Sequence, residues 1–304
     1  MSDLILHHFD WSPYGEKVRV LLGIKGLAWR SVQIPMVMPK PDLTALTGGY
    51  RKTPVLQIGA DIYCDTSRIA RELETRYPEP TFFPGGTSGL AYALAPWADS
   101  FFASGAGLSM GLNDQLPADL MQDRREFFSH MDFDRLQARA PHMFGQVLAS
   151  VTLLEEQLAD GRAFLSADRP GLADASAYYV LWMCRGFVAA MNGLLEPFAR
   201  VAAWEGRMRA IGHGARREIE AGAALQIARA AQASPGGGVS STDPAGLVIG
   251  QRVTVTPDDY GKVPVAGELV TLDLHEIAVR RETARAGEVV VHFPREEYAV
   301  VATG

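Results

Sequence analysis

The sequence predicts an α/β unit, then an all-α unit, then an appended small β-barrel or sandwich. Three observations carry that prediction. Residues 4–77 alternate strand and helix patterns in the order βαβ, then ββα. From Leu90 to about Ala231 the chain is rich in Ala and Leu and reads as helical throughout. After a Pro- and Gly-rich break at 233–241 the texture changes to short strands. The expected boundaries are residues 1–84, 89–232 and 245–304, with 233–244 as a flexible linker.

Each element follows from its own signals. Leu4 to Phe9 reads as a strand. Val18, Leu21 and Leu22 have the i, i+3, i+4 spacing of one buried helical face, and that helix ends near Gly23 or Gly26. Trp29 to Ile34 is the second strand, and 35–49 is a loop with one helical turn. Two short strands, Val55 to Ile58 and Ile62 to Cys64, flank a hairpin turn at Gly59-Ala60-Asp61. Ile69, Leu73 and Tyr77 mark a closing helix stopped by Pro78. In the second unit the clearest helix is Gln146 to Asp160, apolar at Val147, Val151, Leu154 and Leu158 and ended by Gly161. Ala173 to Arg185 is another, buried on several sides. The third unit holds strands near 247–256, 268–272, 276–280, 288–293 and 298–301.

Composition removes several function classes. The chain has 304 residues, of which 47% are hydrophobic, as in ordinary globular proteins. It contains no apolar run of the ~20 residues a membrane span needs. The net charge of -6 argues against a nucleic-acid partner, which would call for a basic face. Cys64 and Cys184 form neither a disulfide framework nor a metal-ligand spacing. His7 and His8 in a strand point to opposite faces and cannot chelate one metal, so no metal is expected. The opening MSDLILHHFDW lacks the basic region and small-residue cleavage site of a signal peptide, so a cytoplasmic location is expected.

Three short stretches could carry chemistry. Ser12-Pro13 at a strand-to-helix junction suits an N-cap followed by an N1 proline. The same place gathers free N–H groups and the positive end of a helix dipole, which favour an anion such as a thiolate. Thr53-Pro54 precedes a strand; a cis bond there would present the Thr53 backbone to a ligand peptide. Asp65-Thr66 at a helix start is either a cap or a grip on an α-amino-acid group. In that grip the carboxylate takes the ammonium, and the hydroxyl and N–H groups take the carboxylate.

Taken in order, these stretches resemble the cytosolic glutathione S-transferase superfamily over about Leu4 to Ala231. SPYGEKVRV is similar to the tau- and omega-type active-site motif, KTPVL to the cis-proline motif, and DTSRI stands where Glu-Ser-x-x-Ile is usual. RPGLADASAYYV is similar to the signature of the helical domain. The resemblance implies a thioredoxin-like N-terminal domain, a helical C-terminal domain, glutathione as co-substrate and a homodimer. It implies Ser12 as the catalytic residue, donating a hydrogen bond to the glutathione sulfur to favour the thiolate. Thr53 would pair with the cysteinyl part beside cis Pro54. Asp65 and Thr66 would hold the γ-glutamyl end, and Lys40 or Lys52 the glycyl carboxylate. Ser in place of Cys disfavours disulfide exchange, which needs a protein thiolate. It suits a detoxifying transferase, or a glutathione-dependent peroxidase, acting on small hydrophobic electrophiles. Trp11, Tyr14, Trp97, Phe101, Phe102 and Met110 are candidates for the electrophile pocket.

The strands after residue 245 fall outside the resemblance. Acids outnumber basic residues there, which disfavours a nucleic-acid-binding barrel. The preferred reading is a structural appendage covering one face or joining a dimer interface. The sharper reading is an SH3-like module that recruits a partner to a non-catalytic glutathione-binding fold.

Overall fold

A computed structural model describes residues 3–303; Met1, Ser2 and Gly304, the outermost positions of the expected boundaries, lie outside the described residues. Strand β1 (Leu4–His8) is buried along its whole length. A strand buried on both faces needs a packed layer on each side. Its side chains divide accordingly: Leu4 and Leu6 enter one core and Ile5 enters another. β1 pairs in parallel with β2 (Ala28–Gln33) and antiparallel with β3 (Val55–Ile58), which turns back through β4 (Asp61–Cys64). Helices α1 (Pro13–Ile24) and α3 (Thr66–Arg76) cover the first face through Val18, Leu21, Ile69 and Leu73. Helix α2 (Pro41–Thr47) covers the second through Leu43 and Leu46. It is longer than the single turn expected. Pro41 starts it and Gly48, at φ 80°, ends it. This is the expected thioredoxin-like half.

The helical half consists of α4 (Ser88–Gly111), α5 (Ala118–Phe127), α6 (Leu136–Gln157), α7 (Leu172–Phe187), α8 (Ala189–Leu194) and α9 (Ala199–Ile211). Helix α7 is its axis, packed against both α1 and α4. Asp174 in its first turn has no exposed surface. Its carboxylate accepts from Gly171 N at 3.0 Å, Leu165 N at 2.8 Å and Trp204 Nε1 at 2.9 Å. One acid thereby caps α7 and ties it to the preceding loop and to α9.

The helical run ends earlier than the pattern suggested. Strand β5 (Ala215–Glu218) pairs in parallel with β2, and α10 (Ala221–Ala230) crosses to the second face, burying Ala224, Leu225 and Ala228. The strand ARRE has no apolar alternation; its pairing comes from its position beside β2. Residues 233–244 are laid along the next strands rather than left free. The segment includes β6 (Gly238–Val239), paired with β8 (Val265–Leu272). Gly236 sits at φ 91°, where a Cβ would lie 2.4 Å from the Val270 carbonyl oxygen. Gly236 thus reflects close backbone approach, not only chain flexibility.

The appended β region is completed by β7 (Arg252–Pro257), β9 (Glu276–Thr283), β10 (Gly287–Pro294) and β11 (Tyr298–Ala302). β10 pairs in parallel with β4, from Val290 opposite Asp61 to His292 opposite Tyr63. One continuous sheet results, in the order β11-β7-β8-β9-β10-β4-β3-β1-β2-β5. Val253, Val265, Leu269, Ile277 and Phe293 share their core with Ile5, Val32, Val55 and Ile62. At the seam, His292 sits between Asp61, whose Oδ1 is 3.0 Å from Nε2, and Glu276, which bonds Nδ1. The Tyr63 ring stacks on it at 4.5 Å, and Arg68 of α3 pairs with both Glu72 and Glu276. Burial opposes a charge on His292, but the two carboxylates outweigh it and hold its pKa above the ordinary value.

Candidate active site

The β1–α1 loop is fixed from below. Arg19 of α1 donates Nη2 to the Asp10 carbonyl at 2.9 Å and to Glu16 Oε2 at 2.8 Å, and Nη1 lies 3.0 Å from His8 Nδ1. Burial, and after it the cations Arg19 and Arg216, pull the His8 pKa down to about 3. The neutral ring therefore accepts from Arg19 at Nδ1 and donates Nε2–H to Ser31 Oγ, 3.0 Å away. On this base Ser12 stands at the N-cap of α1. Its Oγ accepts from Gly15 N at 3.0 Å, with Pro13 at the first helical position. The cap uses the hydroxyl as acceptor only, so the Ser12 proton is left for another partner.

Ser12 lines a cavity of about 450 Å³ between the thioredoxin-like and helical halves. Thr53, Lys40 and Lys52 line the same cavity, and the Thr53–Pro54 bond is cis. Four of the six residues expected in the electrophile pocket are there: Trp11, Tyr14, Phe102 and Met110. Trp97 and Phe101 are not; their rings pack on each other, tilted, with centres 5.2 Å apart, and Phe101 is in the core. Arg51, Asp123, Arg124 and Tyr260 also line it and were not singled out from the sequence. Asp123 pairs with both Arg51, at 2.7 Å, and Arg124, at 2.5 Å. Among the described residues the one hydrogen-bond partner of Lys40 Nζ is the Thr53 hydroxyl at 3.4 Å, and the Phe9 ring centre lies 5.7 Å away. Burial, and after it the charge of Arg124, lowers the Lys40 pKa to about 8.

Asp65 and Thr66 lie outside this cavity. Asp65 caps α3 in a backbone conformation of φ 75°, ψ 140°, unusual for a residue with a Cβ. Its Oδ1 accepts from Ser67 N and Ser67 Oγ, both at 2.9 Å, and its Oδ2 from the Tyr298 hydroxyl at 3.1 Å. Lys52 is engaged by the same appended region: its Nζ lies 2.5 and 2.7 Å from the two oxygens of Asp259 and 4.5 Å from the Tyr260 ring centre. Tyr260 packs on Phe127 and Phe128. Deeper in, Tyr14 and Tyr179 both donate to Asp99, a carboxylate whose pKa burial raises. Burial pushes the Cys64 thiol well up and the Cys184 thiol up to about 12, so neither is a nucleophile. Among the described residues no group of His, Cys, Asp or Glu could hold a metal ion, and no helix is long and apolar enough to cross a membrane.

Residues 6–81 match the glutathione S-transferase N-terminal domain, and residues 137–207 match the glutathione S-transferase C-terminal domain. No curated protein matches the sequence. A GST-like protein from Pseudomonas syringae of known crystal structure is 39% identical, with a TM-score of 0.81, and the match covers 98% of this chain and 100% of that one. The appended β region is thus part of that likeness. A glutathione S-transferase from Rhodospirillum rubrum F11 is 22% identical with a TM-score of 0.53, covering 68% of this chain and 88% of its own. The tau class glutathione S-transferase of mango, Mangifera indica, is 18% identical with a TM-score of 0.53, covering 68% of this chain and 89% of its own. These two speak for the fold alone. The near-full-length match, together with both domain matches, establishes that this chain belongs to the glutathione S-transferase family.

Proposed function

We propose that the chain is a glutathione transferase that activates the thiol of glutathione at Ser12 for attack on small hydrophobic electrophiles. The observation that carries this reading is the division of labour at Ser12: its oxygen is taken by Gly15 N–H, and none of the described residues accepts its proton. Sulfur seated beside it gains that hydrogen bond and the positive end of α1. The thiol proton leaves to solvent, the thiolate forms the carbon–sulfur bond, and the electrophile's leaving group departs with the bonding pair. Thr53, beside cis Pro54, pairs with the cysteinyl backbone. Lys40 takes the glycyl carboxylate, with Lys52 as the second cation on that wall. The apolar side of the cavity, Trp11, Phe102 and Met110, receives the electrophile. A homodimer in the cytoplasm completes the reading.

The test is a pH titration of thiolate absorbance for glutathione bound to the purified protein. The expected result is a bound pKa clearly below the ordinary thiol value of ~8.5. An unshifted pKa removes Ser12 from the chemistry.

A further inference from the structure

We propose that Tyr260, carried by the appended β region, donates its hydroxyl to the oxygen of the electrophile, and that the site is thereby built for α,β-unsaturated carbonyl compounds. This rests on the reading of Ser12 as a thiol site.

Tyr260 sits in the loop between β7 and β8, and that loop is tied down residue by residue. Asp258 N donates to the Glu297 carbonyl at 2.9 Å, and Gly261 N to the Phe127 carbonyl at 3.3 Å. Between them Asp259 pairs with Lys52 at 2.5 Å. Gly261 has φ 60°, and a Cβ there would come within 2.6 Å of the Phe127 ring, so the turn approaches the end of α5 as closely as a glycine allows. The Tyr260 ring is clamped too. The centres of the Phe127 and Phe128 rings lie 5.1 and 4.9 Å from its own, and Lys52 Nζ lies 4.5 Å from its centre. Held in this way, Tyr260 lines the cavity that contains Ser12.

None of the described residues accepts the Tyr260 proton. Tyr14, the hydroxyl beside it, gives its own proton to Asp99 at 3.2 Å and is not free to serve. Ser109 and Asn113 also line the cavity, but a phenol, with an ordinary pKa of ~10, is a stronger donor than an alcohol or an amide. An unpaired donor among apolar side chains such as Met110, Met121 and Phe128 calls for a ligand that is itself apolar and carries an acceptor. The donor counts most where that acceptor gains charge during the reaction. Addition to an enone meets both conditions. The thiolate forms the carbon–sulfur bond at the β carbon, the double-bond pair shifts toward the carbonyl carbon, and the carbonyl pair moves onto oxygen, where Tyr260 meets it. The proton that the thiol lost to solvent returns at the α carbon, so nothing leaves. Burial holds the Tyr260 phenol above its ordinary pKa, so it donates a hydrogen bond and keeps its proton.

The experiment compares two electrophiles of similar size with glutathione and the full chain. Benzylideneacetone places charge on oxygen when attacked, and benzyl chloride does not. Tyr260→Phe keeps the ring and its packing and removes a hydroxyl that bonds no described residue, so its melting temperature is expected to match that of the wild type. The ratio of kcat for benzylideneacetone to kcat for benzyl chloride is expected to fall about 30-fold or more in the variant, the worth of one donor to an oxyanion. The loss belongs to kcat and not KM, because the hydrogen bond strengthens as charge develops. An unchanged ratio, whether both rates fall together or neither falls, overturns the proposal and leaves the thiol site standing. So does a wild type that conjugates benzyl chloride and not benzylideneacetone. If the wild type conjugates neither, the transferase reading itself falls and takes the proposal with it.

Discussion

Ser12 meets two demands with the two ends of one hydroxyl, and its removal separates them. Ser12→Ala loses the N-cap, at a cost of about 1 kcal/mol of stability. It also loses the donor to sulfur, and turnover is expected to fall about 100-fold, as for other single donors to a developing anion. Urea unfolding beside a conjugation assay tells the two apart: a variant that loses only stability shows Ser12 to be a cap. Lys40 gives a pH dependence. Its pKa is lowered to about 8, so it is an ammonium below that pH and neutral above it. Binding of S-methylglutathione, which has no thiol to titrate, is expected to weaken as pH rises through about 8, while Lys40→Met flattens the profile. A wild-type profile as flat as the variant's removes Lys40 from the carboxylate site. Ser12, Thr53 and Pro54 were legible because their chemistry is local: a cap, a backbone edge and an imide bond. Arg124 and Tyr260 were not. Each reads as a solvated residue in its own segment, and only folding brings it to a cavity begun more than a hundred residues earlier.

Among the elements, α7 is set by one acid and the β4–β10 seam by one histidine. Asp174→Ala strands three buried donors, from Gly171, Leu165 and Trp204. It is expected to cost about 3–5 kcal/mol, read as a fall in the denaturation midpoint at unchanged slope. A loss under about 1 kcal/mol shows that the donors find other partners. At the seam the His292 pKa is raised, so its contribution to stability is full below the unfolded value near 6.5. It is lost as pH climbs through the higher folded value. Melting temperatures are expected to decline over that window in the wild type and less steeply in His292→Gln. Parallel curves would place the pH dependence elsewhere. Helix α7 was legible as Ala173 to Arg185, one residue short of its start, but the role of Asp174 at N3 was not, because its partners Leu165 and Trp204 lie in other segments. Strand β5 was not: Ala215-Arg216-Arg217-Glu218 is an edge strand whose pairing comes from its neighbour and not from its own pattern.

For the whole molecule, the order of units was legible from three textures along the chain, because each has its own period or composition. The single sheet was hidden, since the pairing of Val290 with Asp61 is a matter of tertiary register that no local pattern encodes. Its cost is testable. A chain ended after residue 232 leaves Ile5, Val32, Val55 and Ile62 without the strands that complete their core. Such a fragment is expected to aggregate or to lose its cooperative melt; a soluble fragment with an unchanged melt would show the β region to be separable. The shared core also fixes a timetable. Ile5 leaves the ribosome well before its partner strands, which begin at Arg252. At typical elongation rates the wait is roughly 10–50 s. Throughout that interval one face of a half-built sheet is open to whatever else in the cell binds exposed apolar surface. Strands β7 to β11 thus act, during synthesis, as the protein's own delayed chaperone.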